Sequence, residues 1–364
     1  MASFKFENIS IDGISVAVPT NKVDMASFAS LYGEETVTKL IKSTGIQYAH
    51  RAEAKQTATD LGYSAAERLL KENNINRAEI GLLVFVTQSP DYRRPSSASV
   101  LHGKLGLSFD CAALEINLGC SGFVYGLQTI LALMSCSTER LALLVLGETA
   151  SKLTNTKDRS TNMLYGDAGA AILLKKEDRN TVIQGELFSD GGRYKSIILP
   201  AGGFRDMNPP IEEVVCEDGN IRSLYDIHMD GAAVFSFTIT DVPDSIQSFL
   251  NKNQVSIDDF DDIVLHQANA FIIKQLIRKF KVPKEKVPVS LDRYGNTGGI
   301  SIPLTIADKY GEKNEGIKRI FSSGFGVGLS WGIATFEMDT KNVLPVFETD
   351  YYDENGRLTI NDIK

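Results

Sequence analysis

Two stretches of this chain, residues 71–85 ("KENNINRAEIGLLVF") and 250–265 ("LNKNQVSIDDFDDIVL"), can be laid over each other. Asn73, Ile75, Ile80 and Leu83–Phe85 then fall on Asn253, Val255, Phe260 and Ile263–Leu265. Further along each half a short glycine-framed turn recurs, "GCSG" at 119–122 and "GNTG" at 295–298, each after an alternating segment and before a helix-like one. Matches in one order and at similar separation indicate an internal duplication with a period of about half the chain. Such a chain is expected to fold as two related halves, and 364 residues is more than one hydrophobic core usually serves.

Hydrophobic periodicity supplies the class. "IGLLVFVTQ" at 80–88 and "LALLVLGE" at 141–148 are continuous apolar runs, the mark of strands buried on both faces. Between them, 57–73 carries Leu61, Ala65, Leu69 and Leu70 on one stripe, and "SASVLHGKLG" also reads as helix. Strands alternating with helices predict a layered α/β protein with a largely parallel sheet. The Gly- and Pro-rich residues 189–222 form the expected divide. We therefore expect an N-terminal half over 1–190, a C-terminal half over 191–340, and an extension over 341–364 to which no role is assigned.

Charge and composition narrow the function classes. The formal net charge of −8 argues against a nucleic-acid partner, since phosphate binding needs a positive face. The opening residues alternate like a strand rather than forming a charged region before an apolar core, and no run of apolar residues is long enough to span a bilayer. A cytoplasmic protein without a membrane partner is expected. Its four cysteines lack CxxC spacing, and no His/Cys pair has ligand spacing, so reduced thiols and no metal are expected.

The chemistry centres on "LEINLGCSGFVYGLQTILAL" at 114–133. Leu114, Ile116 and Leu118 alternate as in a strand, whereas Phe123, Leu127, Ile130 and Leu131 have helical spacing. Cys120 stands where one becomes the other. Unpaired N–H groups and the positive end of a helix dipole there favour an anion, so the thiol is expected to lose its proton readily and act as a nucleophile. His266 follows "DDIVL", at the C-terminal end of a buried strand, where open α/β sheets place their ligands. Asn296 lies in "YGNTGG", a loop whose glycines let backbone approach a substrate. If the halves are related by duplication, Cys120 and Asn296 occupy equivalent corners facing each other. His50, His102 and His228 have no comparable setting, and "GFGVGLSWG" at 324–332 reads as a strand closing over the site and packing on the only tryptophan.

Together "GCSGFVYGL", "HQAN", "YGNTGG" with "SIP", and "GFGVGLSWG" resemble the β-ketoacyl-acyl carrier protein synthase III family of the thiolase superfamily, in order and approximate spacing. "TGI" at 44–46, "DRSTNMLYGDAGAAILL" at 158–174 and "SDGG" at 189–192 extend the likeness over about residues 5–338. The resemblance implies a five-layered αβαβα fold of two pseudo-twofold-related halves, a homodimer, and a site of Cys120, His266 and Asn296. It implies a decarboxylating Claisen condensation. Cys120 takes an acyl group from a thioester primer, and malonyl-acyl carrier protein then loses carbon dioxide to an enolate held by His266 and Asn296. The backbone N–H groups of Cys120 and Val327 form the oxyanion hole, and Phe325 lies beside the thiol. Arg159 and Asn269 fall at primer-binding positions. No cofactor is implied, coenzyme A and carrier-protein thioesters being substrates.

Three departures from the family point to a specialised pathway. The tryptophan that would share the adenine with Arg159 is replaced at about Lys39, leaving coenzyme A or carrier protein open as primer donor. Phe271 stands where the family has an arginine implicated in carrier docking, although Lys274, Arg278, Lys279, Lys281, Lys284 and Lys286 are near. Arg94, before Pro95, replaces a phenylalanine of the acyl pocket, which suits a polar or charged primer. The alternative reading is a thiolase-fold acyltransferase that moves the acyl group from Cys120 to an alcohol or amine without decarboxylation. A cysteine hydrolase lacks its "CGSCW" signature here, and a non-catalytic carrier-binding module would have no use for all three side chains.

Overall fold

The computed structural model describes residues 2–362. Eleven strands share its principal sheet: β1 (Ala2–Glu7), β2 (Ile9–Pro19), β3 (Ile80–Val86), β4 (Ala112–Ile116), β5 (Leu141–Glu148), β6 (Ala168–Lys176), β7 (Val182–Ser189), β8 (Asp262–Leu265), β9 (Ile317–Gly326), β10 (Ser330–Asp339) and β11 (Phe347–Thr349). The helices that matter below are α1 (Ala58–Glu72), α2 (Ser97–Leu105), α3 (Gly122–Ser135), α4 (Gly231–Ile239), α5 (Asp241–Asn253), α6 (Ala270–Phe280) and α7 (Ser301–Tyr310).

The repeat seen in the sequence is a repeat of strand pairing. In the first set β3 runs parallel to β5, β5 antiparallel to β6, and β6 antiparallel to β2. In the second, β8 runs parallel to β9, β9 antiparallel to β10, and β10 antiparallel to β7. One register pair, Met338 opposite Ile11, joins the two sets edge to edge. The units leading in also match. After α1 and after α5 the chain makes a short turn capped by Asn76 or Ser256 and enters β3 or β8.

The sheet is mixed, not largely parallel. The connection from β9 to β10 is too short for a crossover, and such a hairpin can only return antiparallel. Among the described residues the second set also has no counterpart to β4. In its place "KVPKEKVPVS" forms a short turn and irregular backbone, because Pro283 and Pro288 remove ladder donors.

Helices α3 and α7 occupy the centre, α3 packing on β3, β5, β9 and β10 and α7 on β2, β6 and β8. Phe123, Leu127, Ile130 and Leu131 of α3 and Ile302, Leu304 and Ile306 of α7 are fully buried there with residues of both strand sets. Each such side chain contributes about 1.5–3 kcal/mol by leaving water. A second core lies outside the first set under α1 and α2, a third outside the second set under α5 and α6. Helix, sheet, helix, sheet, helix is the five-layered αβαβα order expected from the resemblance. A capping box of Thr57 and Asp60 starts α1, as the position of its first stripe residue, Leu61, requires. Among the described residues no helix is long and apolar enough to cross a membrane.

The extension is part of the fold. β11 adds to the edge of β2 in parallel, Phe347 to Thr349 opposite Ala17 to Pro19. Gln56 Nε2 donates to the carbonyls of Thr349 and Tyr351, and Lys104 bridges Asp60 (2.8 Å) and Asp353 (3.2 Å).

Candidate active site

Cys120 lies between the end of β4 and the start of α3, in a tight turn closed by the Gly122 N–H on the Gly119 carbonyl at 2.7 Å. His266 follows β8, and its N–H continues the ladder to the Ser323 carbonyl of β9 at 2.9 Å, which fixes the ring at the strand's end. The Asn296 loop is pinned from the other side. Its N–H donates to the Leu164 carbonyl (2.9 Å) and its carbonyl accepts from the Gly166 N–H (3.1 Å). Gly295, at φ +71°, makes that approach possible, since a Cβ there would lie 3.1 Å from the Gly166 nitrogen.

Glycines bring the three corners together. A Cβ on Gly299 would lie 2.6 Å from the Gly119 carbonyl oxygen, and one on Gly324 would lie 3.0 Å from that of Cys120. A Cβ on Gly326 would stand 2.7 Å from the Cys120 Sγ. The hairpin of β9 and β10 therefore closes directly on the thiol. Phe325, opposite Trp331 in that hairpin, meets the His266 ring edge to face, with centroids 5.4 Å apart at 85°. Phe325 and Gly326 thus join the His266 ring to the Cys120 turn, and the Gly298 backbone, which holds the Asn296 amide, also faces His266.

Burial sets the electrostatics. The Cys120 thiol is pushed up to about 11, because desolvation outweighs the opposing N–H groups of Val327 and of Cys120 itself. The direction is opposite to the readily ionised thiol expected from the helix terminus: desolvation of the sulfur outweighs the N–H groups, although the residue as a whole is only partly buried. Those two N–H groups are the pair expected to form an oxyanion hole, and both reach the sulfur region. His266, 1% exposed, is lowered to about 4 by burial, with the Gly298 backbone acting the other way. Its imidazole is neutral at physiological pH. Ser301 Oγ sits 2.8 Å from His266 Nδ1 and accepts the Gln267 N–H at 3.3 Å, leaving the hydroxyl hydrogen free for Nδ1. With the serine hydroxyl as donor to Nδ1, Nε2 is the nitrogen that carries the proton; with Nδ1 as donor, Nε2 is the acceptor. Asn296 Oδ1 accepts the Gly298 N–H at 3.0 Å, which leaves the amide Nδ2–H₂ as the group to offer a ligand.

The other three predicted residues lie on separate elements. Arg159 begins a one-turn helix, its guanidinium donating to the Asp218 carbonyl at 3.0 Å, in a loop held by the buried Asp158–Arg222 pair. Asn269 caps α6, its Oδ1 accepting the Ile272 N–H at 2.9 Å. Arg94 is exposed, on the loop between β3 and α2. Sequence reasoning missed Ser301, Gln88 and Glu148. Ser301 had a signal, since the residue after "GGI" begins a helix pointing at the site, but nothing in the sequence marks its hydroxyl as a partner for His266.

Comparison with known proteins agrees with this geometry. A family model described as 3-oxoacyl-[acyl-carrier-protein (ACP)] synthase III matches residues 114–191, and its C-terminal counterpart matches residues 250–338. The chain is 32% identical to the β-ketoacyl-[acyl-carrier-protein] synthase III of Clostridium perfringens over 91% of its length and 100% of that protein. It is 33% identical to the protein of the same name from Caldanaerobacter subterraneus, over 79% of this chain and 85% of that one. A crystal structure of a 3-oxoacyl-(acyl-carrier protein) synthase from Burkholderia xenovorans superposes with a TM-score of 0.90 at 33% identity, covering 96% of this chain and 99% of that one. With Cys120, His266 and Asn296 gathered between two related strand sets, the chain belongs to the β-ketoacyl-acyl carrier protein synthase III family of thiolase-fold condensing enzymes.

Proposed function

We propose that this condensing enzyme is an acyltransferase that joins an acyl primer, carried on Cys120, to malonyl-acyl carrier protein with loss of carbon dioxide. The observation that supports the reading is a neutral imidazole, His266, held at Nδ1 by Ser301, and an amide, Asn296, held at Oδ1 by the Gly298 N–H, with the Val327 and Cys120 backbone N–H groups at the thiol. In the proposal His266 Nε2–H and Asn296 Nδ2–H₂ are the two donors. First the thiol attacks the primer thioester. Its proton leaves with the departing thiolate, and the Cys120 and Val327 N–H groups hold the oxyanion. Malonyl thioester then binds with its carbonyl oxygen between His266 and Asn296. Breaking the carbon–carboxylate bond puts charge on that oxygen as carbon dioxide leaves. The enolate carbon attacks the acyl-Cys120 carbonyl, the carbon–sulfur bond breaks, and the Cys120 thiolate so released takes up a proton. Fixed donors aimed at developing charge are worth about 3–4 kcal/mol each, and neither step calls on a cofactor.

An acidic carrier suits the basic α6, which carries exposed Lys274, Arg278 and Lys279, the last 3.9 Å from Asp244, and the half-exposed Phe271, 5.4 Å from the Phe235 ring. Lys286 is committed elsewhere, to the Asp258 and Phe260 carbonyls. Arg94 on its exposed loop favours a polar primer in a specialised pathway, and Arg159 and Asn269 remain the proposed primer contacts. A homodimer in the cytoplasm is part of the same proposal. The outer edge of β4 is unpaired among the described residues, with Leu114 exposed and Phe109 fully exposed beside it. Substituting His266 or Asn296 by Ala should leave acylation of Cys120 intact while abolishing carbon dioxide release from malonyl-carrier protein. Loss of both, or of neither, would contradict the division of labour.

A further inference from the structure

Glu148, the last residue of β5, belongs to neither corner, yet it stands between them. Its side chain is almost fully buried. One carboxyl oxygen accepts the Gln88 N–H and the other accepts from Ser89 Oγ at 2.8 Å. The Ser89 hydroxyl oxygen accepts in turn from the Thr149 N–H at 2.9 Å, so the arrangement is closed on both sides. The Gln88 carboxamide, tied to Asn117 Oδ1 at 3.2 Å, presses on the turn before the thiol: a Cβ on Gly119 would lie 2.3 Å from its oxygen. Opposite, the Glu148 Cγ is 3.7 Å from where a Cβ on Gly298 would stand, and the Gly298 N–H aims the Asn296 amide. One carboxyl therefore backs both the residue before the nucleophile and the residue that orients the donor.

We propose that Glu148 is a positioning residue that ties the Cys120 turn to the Asn296 loop, and that its ionisation opposes formation of the Cys120 thiolate. The inference rests on Cys120 being the nucleophile. The ionisable groups coupled to this carboxyl are acids: Cys120 at the head of α3, and Tyr165 and Asp167 ahead of β6, with Arg51 offsetting Asp167 from the far side. Burial raises Glu148 to about 7, against the Gln88 and Ser89 hydrogen bonds, and its charge in turn raises the thiol. Two neighbouring acids, one of them buried and the other only partly exposed, ionise in sequence, the second against the charge of the first. Near neutral pH a protonated Glu148 leaves the thiol easier to ionise. In alkaline solution its charge holds the thiol back.

The test is the rate of Cys120 alkylation by iodoacetamide, followed by intact mass between pH 6 and pH 9.5 on the full chain. Glu148→Gln should react roughly three- to tenfold faster at alkaline pH, its profile displaced by about half to one pH unit. Glu148→Asp, which keeps the charge on a shorter arm, should keep a bend in its profile that Glu148→Gln lacks. The parent carries an independent check, a bend in its rate profile near pH 7. Superimposable profiles for parent and Glu148→Gln, or a parent profile with a single inflection, would overturn the inference while leaving Cys120 as nucleophile. Failure of Cys120 to react in every variant would overturn both.

Discussion

Gly326 passes so close to Cys120 that a single added carbon would lie 2.6 Å from its Cβ and 2.7 Å from its Sγ. The hairpin that supplies the Val327 N–H thus reaches the thiol only because this position carries no side chain. Gly326→Ala should force the hairpin away from the sulfur, at about 1–3 kcal/mol for the overpacking. It should also slow Cys120 acylation at least a hundredfold by misplacing one oxyanion donor, as losing such a donor typically costs roughly 10²–10³ in rate. Intact-mass acylation rates and denaturant midpoints check both, and acylation at the parent rate would contradict the geometry.

Ser301→Ala removes the hydroxyl that holds His266 Nδ1. The imidazole should then lose its preference for the Nε2–H form, so carbon dioxide release should fall at least tenfold while Cys120 acylation stays near normal. Stability should drop by about 1–3 kcal/mol, the cost of leaving the buried Gln267 N–H without its acceptor. An equal fall in acylation and decarboxylation would argue that the hydroxyl only props the fold.

Glu148 and His266 shape the pH dependence of stability in opposite senses. Burial raises Glu148 from its ordinary 4.5 to about 7, so the folded chain holds a proton there that the unfolded chain releases. That contribution is present at low pH and is lost as pH climbs through this window. His266 falls from 6.5 to about 4, so below 6.5 the unfolded chain binds a proton the folded chain refuses, and stability is lost as pH falls. Glu148→Gln cancels only the first effect. Relative to the parent it should gain about 2–3 kcal/mol between pH 5 and pH 8. Urea midpoints at the two pH values measure this, and a pH-independent offset would contradict it.

The extension predicts a structural effect. Lys104 is largely buried between Asp60, itself nearly inaccessible, and Asp353 of the tail. Lys104→Met should cost about 3 kcal/mol, because a buried carboxylate loses its counter-charge. It should also loosen residues 350–362, read as faster amide exchange and earlier proteolysis there. Unchanged stability together with unchanged exchange in the tail would show that the extension is held by β11 alone.

Much of this site was legible in the sequence because it is built from chain events that change periodicity. Cys120 sits where spacing of two gives way to helical spacing, and His266 at the end of an apolar run. Asn296 was visible through the repeat, as the counterpart of the cysteine turn. The proton affinity of Cys120 was not legible, since it depends on how deeply the opposite half covers the turn, and desolvation reverses the sign expected from the helix end. Glu148 was hidden for a related reason: a glutamate closing a strand reads as a solvent-facing terminus, and only packing of the Gln88 and Gly298 loops buries it. The missing counterpart of β4 could have been foreseen from Pro283 and Pro288. β11 could not, because three residues added to an edge leave no periodicity to read.

The central claim is that one thiol carries the primer and two neutral donors drive loss of carbon dioxide. It is tested most directly by incubating the chain with a panel of acyl-coenzyme A and acyl-carrier thioesters, weighing the intact protein, and then adding malonyl-carrier protein labelled in its free carboxyl. One acyl mass confined to Cys120 and absent from Cys120→Ser is expected, followed by labelled carbon dioxide in proportion to the acyl group consumed. A stably acylated Cys120 that releases no carbon dioxide, but passes its acyl group to an alcohol or amine, would contradict it.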